Sequence, residues 1–159
     1  MYELEVKHHV DDLHTVEERV RDLGGVCNGT RQETNRFYAL GGWLIRLRDD
    51  PAEITLKGPA KHGKVRECLE LNCPVPRWAL PALGLFFSFG WRYDKERTTY
   101  EFRQTEVALD TLEFGTFVEV EGSIDEVVAV ERALGLNSPV KETYSQMARW
   151  KHGKTRVVL

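Results

Sequence analysis

Residues 2–10 read YELEVKHHV, a stretch in which apolar and charged side chains alternate along the chain. Because successive side chains of a β-strand point to opposite faces, this alternation predicts a strand with one apolar face and one charged face. Only His8 falls outside the pattern. The apolar face carries Tyr2, Leu4, Val6 and Val10, and the charged face carries Glu3, Glu5, Lys7 and His9.

The same alternation returns in later segments, so the charged face is not confined to the first strand. In each segment, side chains two residues apart share a face of the predicted sheet. The polar faces carry Arg46 and Arg48, Thr55 and Lys57, Arg66 with Cys68 and Glu70, Lys95 and Arg97, Asp110, and Glu119 and Glu121. These segments predict a sheet with one strongly charged side.

Short strands with tight connections account for much of the chain. The turn signals Gly41-Gly42 and Asp49-Asp50-Pro51 separate neighbouring strands, which favours antiparallel pairing. Further strands are predicted near residues 33–40, 43–48, 53–58, 65–73, 93–104, 106–112 and 116–122, and helices near residues 12–23, 80–89, 124–134 and 140–150. The pattern indicates an α+β fold, a barrel or sandwich with helices packed on the outside.

Length and composition indicate a globular protein with a single domain over residues 1–159. The longest apolar run, near residues 79–89, is too short to span a bilayer, and the N-terminus lacks the layout of a signal peptide. We therefore expect a cytoplasmic protein, either a monomer or a homodimer. The formal charge of −3 argues against nucleic acid and membrane partners, which usually require a strong basic excess.

The three cysteines, Cys27, Cys68 and Cys73, have neither the even count of a secreted disulfide framework nor a paired zinc spacing. We expect all three to be reduced and structural.

The charged strand faces admit two interpretations. A solvated outer face is the usual meaning of alternation in a single strand. Like charges two residues apart, as in Arg46 and Arg48, repel each other on one face unless an opposite charge approaches them. In addition, the amphipathic helices need the apolar strand faces to cover their own apolar stripes. Both observations favour charged faces that point into the barrel.

A charged interior cannot be a dry core, because an unpaired buried charge costs several kcal/mol. Arginine and lysine clusters suit phosphate oxygens, whereas carboxylates suit a hard divalent cation that bridges to phosphate. The interior therefore predicts a ligand that combines both, a metal-bound polyphosphate. Its cations are Lys7, Arg46, Arg48, Lys57, Arg66, Lys95 and Arg97, and its carboxylates are Glu3, Glu5, Glu70, Asp110, Glu119 and Glu121.

These motifs resemble the CYTH superfamily, the triphosphate tunnel enzymes that include class IV adenylyl cyclases and thiamine triphosphatases. The resemblance is nearly full-length. It is carried in order by Glu3-Leu-Glu5-Val-Lys7, Arg46-Leu-Arg48, Thr55-Leu-Lys57-Gly58-Pro59, Lys95-Glu-Arg97, Leu109-Asp110 and Glu119-Val-Glu121-Gly122.

The resemblance implies an eight-stranded antiparallel tunnel and a small triphosphate as the partner. It implies Mg²⁺ or Mn²⁺ held by Glu3, Glu5, Glu70, Asp110, Glu119 and Glu121. It implies triphosphate binding by Lys7, Arg46, Arg48, Lys57, Arg66, Lys95 and Arg97, with Lys141 near the tunnel mouth. The residues expected to act directly in the reaction are Glu5, Lys7, Lys57 and Arg97.

One position departs from the family pattern. Many relatives carry an acidic residue where this chain has Cys68, so a ligand or proton acceptor is missing there; we expect the thiol to be an inert filler. Three functions remain open: hydrolysis of a triphosphate, cyclisation of ATP to cyclic AMP and pyrophosphate, and binding of a polyphosphate without catalysis. We favour the first.

Overall fold

Antiparallel strands dominate the structure, a computed structural model that describes residues 2–59, 61–62, 66–84, 86, 89–152 and 155–156. At residues 2, 3, 61, 62, 66, 67, 89, 155 and 156 it describes the backbone alone. The strands are β1 (Tyr2–His9), β2 (Val26–Leu40), β3 (Trp43–Asp49), β4 (Ala52–Lys57), β5 (Lys61–His62), β6 (Arg66–Pro74), β7 (Phe89–Phe102), β8 (Thr105–Leu112), β9 (Gly115–Glu121) and β10 (Thr155–Arg156).

Eight of these strands pair in a ring. The order is β1-β9-β8-β7-β2-β3-β4-β6, and β6 pairs back onto β1, with every pairing antiparallel. The ring closes where Tyr2 to Glu5 lie opposite residues 66–69. The two-residue strands β5 and β10 add to β6 and β7. This arrangement confirms the predicted eight-stranded antiparallel fold.

Three helices cover the outer, apolar face of the ring. Helices α1 (Leu13–Asp22) and α3 (Ile124–Leu134) pack over β1, β8 and β9, and the buried side chains between them include Val20, Val120 and Val127. Helix α2 (Ala79–Gly84) places Leu80 against Tyr38, Ile45 and Leu47 of β2 and β3. The charged strand faces therefore point inward, as predicted. No helix within the described ranges is long and apolar enough to cross a membrane.

Helix α4 (Tyr144–His152) differs, because it packs against aromatic side chains from the inner strand faces. Tyr144 and Ala148 contact a cluster that contains Phe37, Tyr93 and Phe117. The indole Nε1 of Trp91 donates a hydrogen bond to Ser145 Oγ at 3.0 Å. This helix therefore lies at an end of the barrel interior, a placement that the pattern of the sequence does not reveal.

Several element bounds differ from the prediction. Strand β2 begins at Val26 rather than residue 33, because its polar start pairs with β7 and side chains such as Thr30 and Thr98 (2.8 Å) hydrogen-bond across the two strands. Helix α2 ends at Gly84 rather than residue 89, where β7 begins. Helix α4 begins at Tyr144 rather than residue 140, because Thr143 and Gln146 form a reciprocal capping box.

The burial of α3 against the sheet can be tested by shortening one buried side chain. Leu134 is 1% exposed within the core between α1, α3 and the strands. We expect Leu134→Ala to lower the free energy of unfolding by about 2–5 kcal/mol, the usual cost of such a cavity. Ile124→Ala is the matched control on the same helix, because Ile124 is 56% exposed. Urea unfolding measures both, and equal losses would contradict this packing.

The charged interior is balanced in part by internal ion pairs, as Glu33 shows. Its carboxylate is 1% exposed and pairs with Arg31 at 2.6 Å, Lys95 at 3.6 Å and Arg48 at 4.0 Å. Burial alone would raise the pKa of Glu33, but the charges of Lys95 and Arg97 outweigh it and lower the pKa to about 2. Glu33 thus stabilises the folded state in its ionised form.

This balance predicts a pH-dependent loss of stability in Glu33→Gln. The contribution of Glu33 is fully present above the unfolded-state pKa of 4.5 and is lost as the pH falls from there toward 2. We expect the variant to lose about 3 kcal/mol of unfolding free energy at pH 7. The deficit relative to the wild type should shrink below pH 4.5 in urea unfolding. Glu101→Gln, at an exposed position, should show no such deficit, and a deficit for Glu33→Gln that stays constant with pH would contradict the pairing.

Candidate functional site

A cavity inside the barrel gathers charged side chains from five strands. The volume open to the centres of water molecules is about 80 Å³. Its charged lining consists of Glu5 and Lys7 from β1, Arg46 from β3, Lys57 from β4, Lys95 and Arg97 from β7, and Glu119 from β9. Phe37, Leu44 and Tyr93 add an apolar wall, and Thr143, Tyr144 and Ser145 close it at the start of α4. Cationic side chains outnumber carboxylates in this lining.

Asp110 lies behind the cavity, fully buried, and anchors two of its cations. Arg97 binds it with two nitrogens, Nε at 2.7 Å and Nη2 at 2.5 Å, and Lys95 Nζ lies 3.3 Å away. The Tyr144 hydroxyl donates a fourth hydrogen bond at 2.9 Å. Asp110 therefore positions Lys95, Arg97 and α4 at once.

Glu119 occupies the centre of the cationic cluster. Lys7 Nζ lies 3.1 Å from its carboxylate, and Arg97 forms a second ion pair with it. Burial acts to raise the pKa of Glu119, but the charges of Lys7 and Arg97 outweigh it and hold the pKa well below its usual value. Lys7 also lies over the Tyr144 ring, 4.0 Å from its centroid, which links the cluster to α4.

Lys95 is the cation most affected by burial. Desolvation, together with the nearby charge of Arg97, lowers its pKa to about 8, although Asp110, Glu119 and Glu33 act in the opposite direction. The physical cause is that Lys95 is only 5% exposed and lies close to a second positive charge. A polyanion placed beside these cations would stabilise their charged forms.

On the other side of the cavity, Arg46 and Lys57 have their own carboxylate partners. Lys57 forms an ion pair with Glu70, which is 5% exposed. Arg46 Nη2 binds Thr55 Oγ1 at 2.8 Å and Glu53 Oε1 at 3.1 Å. Arg48 forms ion pairs with Glu53 and Glu33 and does not line the cavity.

The structure brings most of the predicted site residues together. Those that line the cavity are Glu5, Lys7, Arg46, Lys57, Lys95, Arg97 and Glu119. Glu70 and Asp110 are ion-pair partners of lining cations, and Arg48 pairs with Glu53 outside the lining. Glu121 and Lys141 are exposed and are not part of the lining. The predicted roles of Glu3 and Arg66 concern side chains outside the described part of the structure.

Cys68 is buried on the inner side of β6, where its thiol donates to the carbonyl oxygen of Gly58 at 3.3 Å. A buried thiol with a backbone partner agrees with the expectation of an inert filler.

The carboxylates do not form a ready-made metal cage. Within the described residues, no three Asp, Glu, His or Cys side chains lie close enough together to hold a metal ion. The donor chemistry nevertheless fits a magnesium-like ion, because Mg²⁺ is usually bound by one or two carboxylates together with substrate phosphates and water. Glu5 and Glu119 are the lining carboxylates that fit this role.

Several residues of the site were not among those predicted from the sequence, including Glu33, Glu53, Tyr144 and the other uncharged side chains of the lining. Glu33 and Glu53 share inner strand faces with Arg31 and Thr55, so the period-two pattern was present but was not extended to them. The contacts of Tyr144 with Asp110 and Lys7 have no local signal, because the helix and both strands are distant in the chain.

Comparison with solved structures shows that the fold recurs in other proteins. The PH1012 protein of Pyrococcus horikoshii is 23% identical, with a TM-score of 0.74, and the match covers 89% of this chain and 96% of that one. A candidate adenylate cyclase from Vibrio parahaemolyticus is 17% identical, with a TM-score of 0.70 and coverage of 91% and 95%.

A Hippeastrum protein, described as a candidate adenylyl cyclase with a dominant triphosphatase activity, is also 17% identical, with a TM-score of 0.62 and coverage of 95% and 96%. At these identities the likeness concerns the fold. No curated protein sequence matches the chain significantly.

The sequence of this chain also matches the family defined by the CYTH domain, over residues 1–136. The matched region contains all eight strands of the ring and every charged residue of the cavity lining. The chain therefore belongs to the CYTH family.

Proposed function

We propose that this protein is a divalent-metal-dependent triphosphatase that hydrolyses a phosphoanhydride bond of a small triphosphate. The observation that carries the proposal is the cavity lining, in which five cationic side chains face two carboxylates. An enclosed excess of positive charge favours a ligand with several negative charges. Because the cations come from β1, β3, β4 and β7, they surround the cavity and suit an extended polyanion better than a single phosphate.

The side chains of the lining supply most of what phosphoryl transfer requires. The transition state spreads negative charge over the phosphate oxygens, so catalysis depends largely on positioning and on electrostatic stabilisation. Arg46 and Arg97 offer paired hydrogen bonds to nonbridging oxygens, and Lys7, Lys57 and Lys95 act as compact charges. Glu5, one of the two lining carboxylates, would orient the attacking water and accept its proton.

A divalent ion held by Glu5 and Glu119 would supply further positive charge to the phosphates. Divalent metals are general among the triphosphate tunnel enzymes of this family. Assays with Mg²⁺ and with Mn²⁺ will show which of the two ions supports activity.

Adenylyl cyclisation is the second candidate. The likeness to the candidate cyclase from Vibrio parahaemolyticus suggests this reaction, which would use the same cationic lining. Hydrolysis is favoured because the lining is dominated by cations that fit the triphosphate, whereas its aromatic side chains Phe37 and Tyr93 belong to the cluster that packs against α4. The Hippeastrum protein gives the same preference by analogy.

The reaction can be assigned in one assay series. The purified protein is incubated with tripolyphosphate, thiamine triphosphate or ATP, each with Mg²⁺, with Mn²⁺ or with a chelator. Orthophosphate, pyrophosphate and cyclic AMP are measured together. We expect orthophosphate from at least one substrate, and loss of that activity with the chelator, because the five lining cations, offset by two carboxylates, do not alone neutralise a triphosphate. Cyclic AMP with equal pyrophosphate would instead establish the cyclase, and the absence of all three products would refute both reactions.

The role of the lining can be tested with Arg46→Ala. Loss of one cation that contacts the transition state should lower kcat/KM by about 10²–10³-fold. The fold should persist, because Glu53 retains Arg48 and Thr55 as partners. Arg92→Ala is the matched control, since Arg92 lies on the outer face of β7 and pairs with Asp94 at 2.8 Å. Normal turnover by a folded Arg46→Ala protein would refute the cavity as the active site.

A further inference from the structure

Two guanidinium groups on the inner face of β3 share one carboxylate oxygen. Glu53 Oε1 accepts from Arg46 Nη2 at 3.1 Å and from Arg48 Nη2 at 3.0 Å. The Thr55 hydroxyl donates to the same oxygen at 3.1 Å and accepts from Arg46 at 2.8 Å. Glu53 thus stands at the centre of a compact network beside the cavity.

This network reduces the repulsion between two largely buried positive charges. Arg46 and Arg48 are two residues apart on one strand, and their side chains are only 14% and 12% exposed. Burial lowers the pKa of Arg48, the charge of Arg46 lowers it further, and Glu33 and Glu53 act to raise it. Glu53 therefore offsets a repulsion that solvent can screen only weakly.

The two arginines are not equivalent toward the cavity. Arg46 lines it, whereas Arg48 and Glu53 do not. Arg48 has a second carboxylate, Glu33, at 4.0 Å. Within the described residues, Glu53 is the carboxylate paired with Arg46. A phosphate that takes paired hydrogen bonds from Arg46 through Nη2 therefore competes with Glu53 for that nitrogen.

We propose that Glu53 is a positioning residue that competes with the phosphate for Arg46 and thereby weakens the binding of the triphosphate. Before a phosphate binds, Glu53 holds the Arg46 guanidinium beside the cavity. When a phosphate binds, Glu53 releases Arg46 and remains paired with Arg48. The inference rests on the proposed function, since it presumes a polyanionic ligand. Because the competition opposes ground-state and transition-state binding alike, it raises KM and leaves kcat unchanged.

Glu53→Gln tests this competition, because the amide keeps a hydrogen-bond acceptor and removes the charge. Tripolyphosphate binding is measured by calorimetry with a chelator present, which stops hydrolysis and leaves the cations to act alone. We expect the dissociation constant to fall on the order of tenfold, the scale of one hydrogen bond to a charged group. In the metal-containing assay KM should fall with little change in kcat. Glu96→Gln is the control, because Glu96 is exposed and pairs with Gln32 instead.

The outcomes separate the two proposals. If the wild-type protein neither binds tripolyphosphate under chelation nor hydrolyses a triphosphate with metal present, the proposed function fails and this inference fails with it. If it hydrolyses a triphosphate but does not bind under chelation, an unchanged KM in Glu53→Gln would overturn the inference alone. If the wild type binds but Glu53→Gln binds equally or more weakly, the competition is wrong and the proposed function stands. If Glu53→Gln does not fold, Glu53→Asp serves instead, since its shorter side chain withdraws the charge from Arg46 and should tighten binding several-fold. If Glu96→Gln lowers the dissociation constant for tripolyphosphate by the same factor, the effect comes from net charge alone and the proposal is wrong.

Discussion

A charge inside a protein needs a counter-charge, and this requirement organises the whole barrel. The interior is lined by cations, and each of those described in the site is held by a carboxylate: Lys7 by Glu119, Arg46 by Glu53, Lys57 by Glu70, and Lys95 and Arg97 by Asp110. These pairs span neighbouring strands, so they also fix the register of the sheet. The apolar core lies on the outside of the ring, where α1 and α3 cover it.

The same pairing shapes the chemistry proposed for the cavity. A bound triphosphate would have to share or replace the carboxylates that hold these cations. Binding of the triphosphate then exchanges one set of anionic partners for another, while the cations stay in place. No mobile surface charge has to be brought to the ligand. Such an array of cations is preorganised, which is the property that makes electrostatic stabilisation effective during phosphoryl transfer.

The sequence predicts the strands and their charged faces because both are local properties with a period of two residues. It predicts the inward orientation only through an added argument, the repulsion of Arg46 and Arg48 and the need to cover the helices. It cannot predict which carboxylate meets which cation, since Glu119 and Lys7 are more than a hundred positions apart. For α4, the family resemblance implies only that Lys141 lies near the tunnel mouth. The contacts of Tyr144 with Asp110 and Lys7 could not be predicted, because they join positions far apart in the chain.

In strand β9, the residues that pack the core alternate with the residue that lines the cavity. Val118 and Val120 are fully buried under the helices, while Glu119 between them faces the cavity. On this strand, core packing and cavity lining thus fall on alternate residues. A lining residue can change without opening a hole in the packed core, provided that its charge partner is still balanced. This independence offers a physical reason why proteins that share only 17–23% of their residues with this chain keep the same architecture.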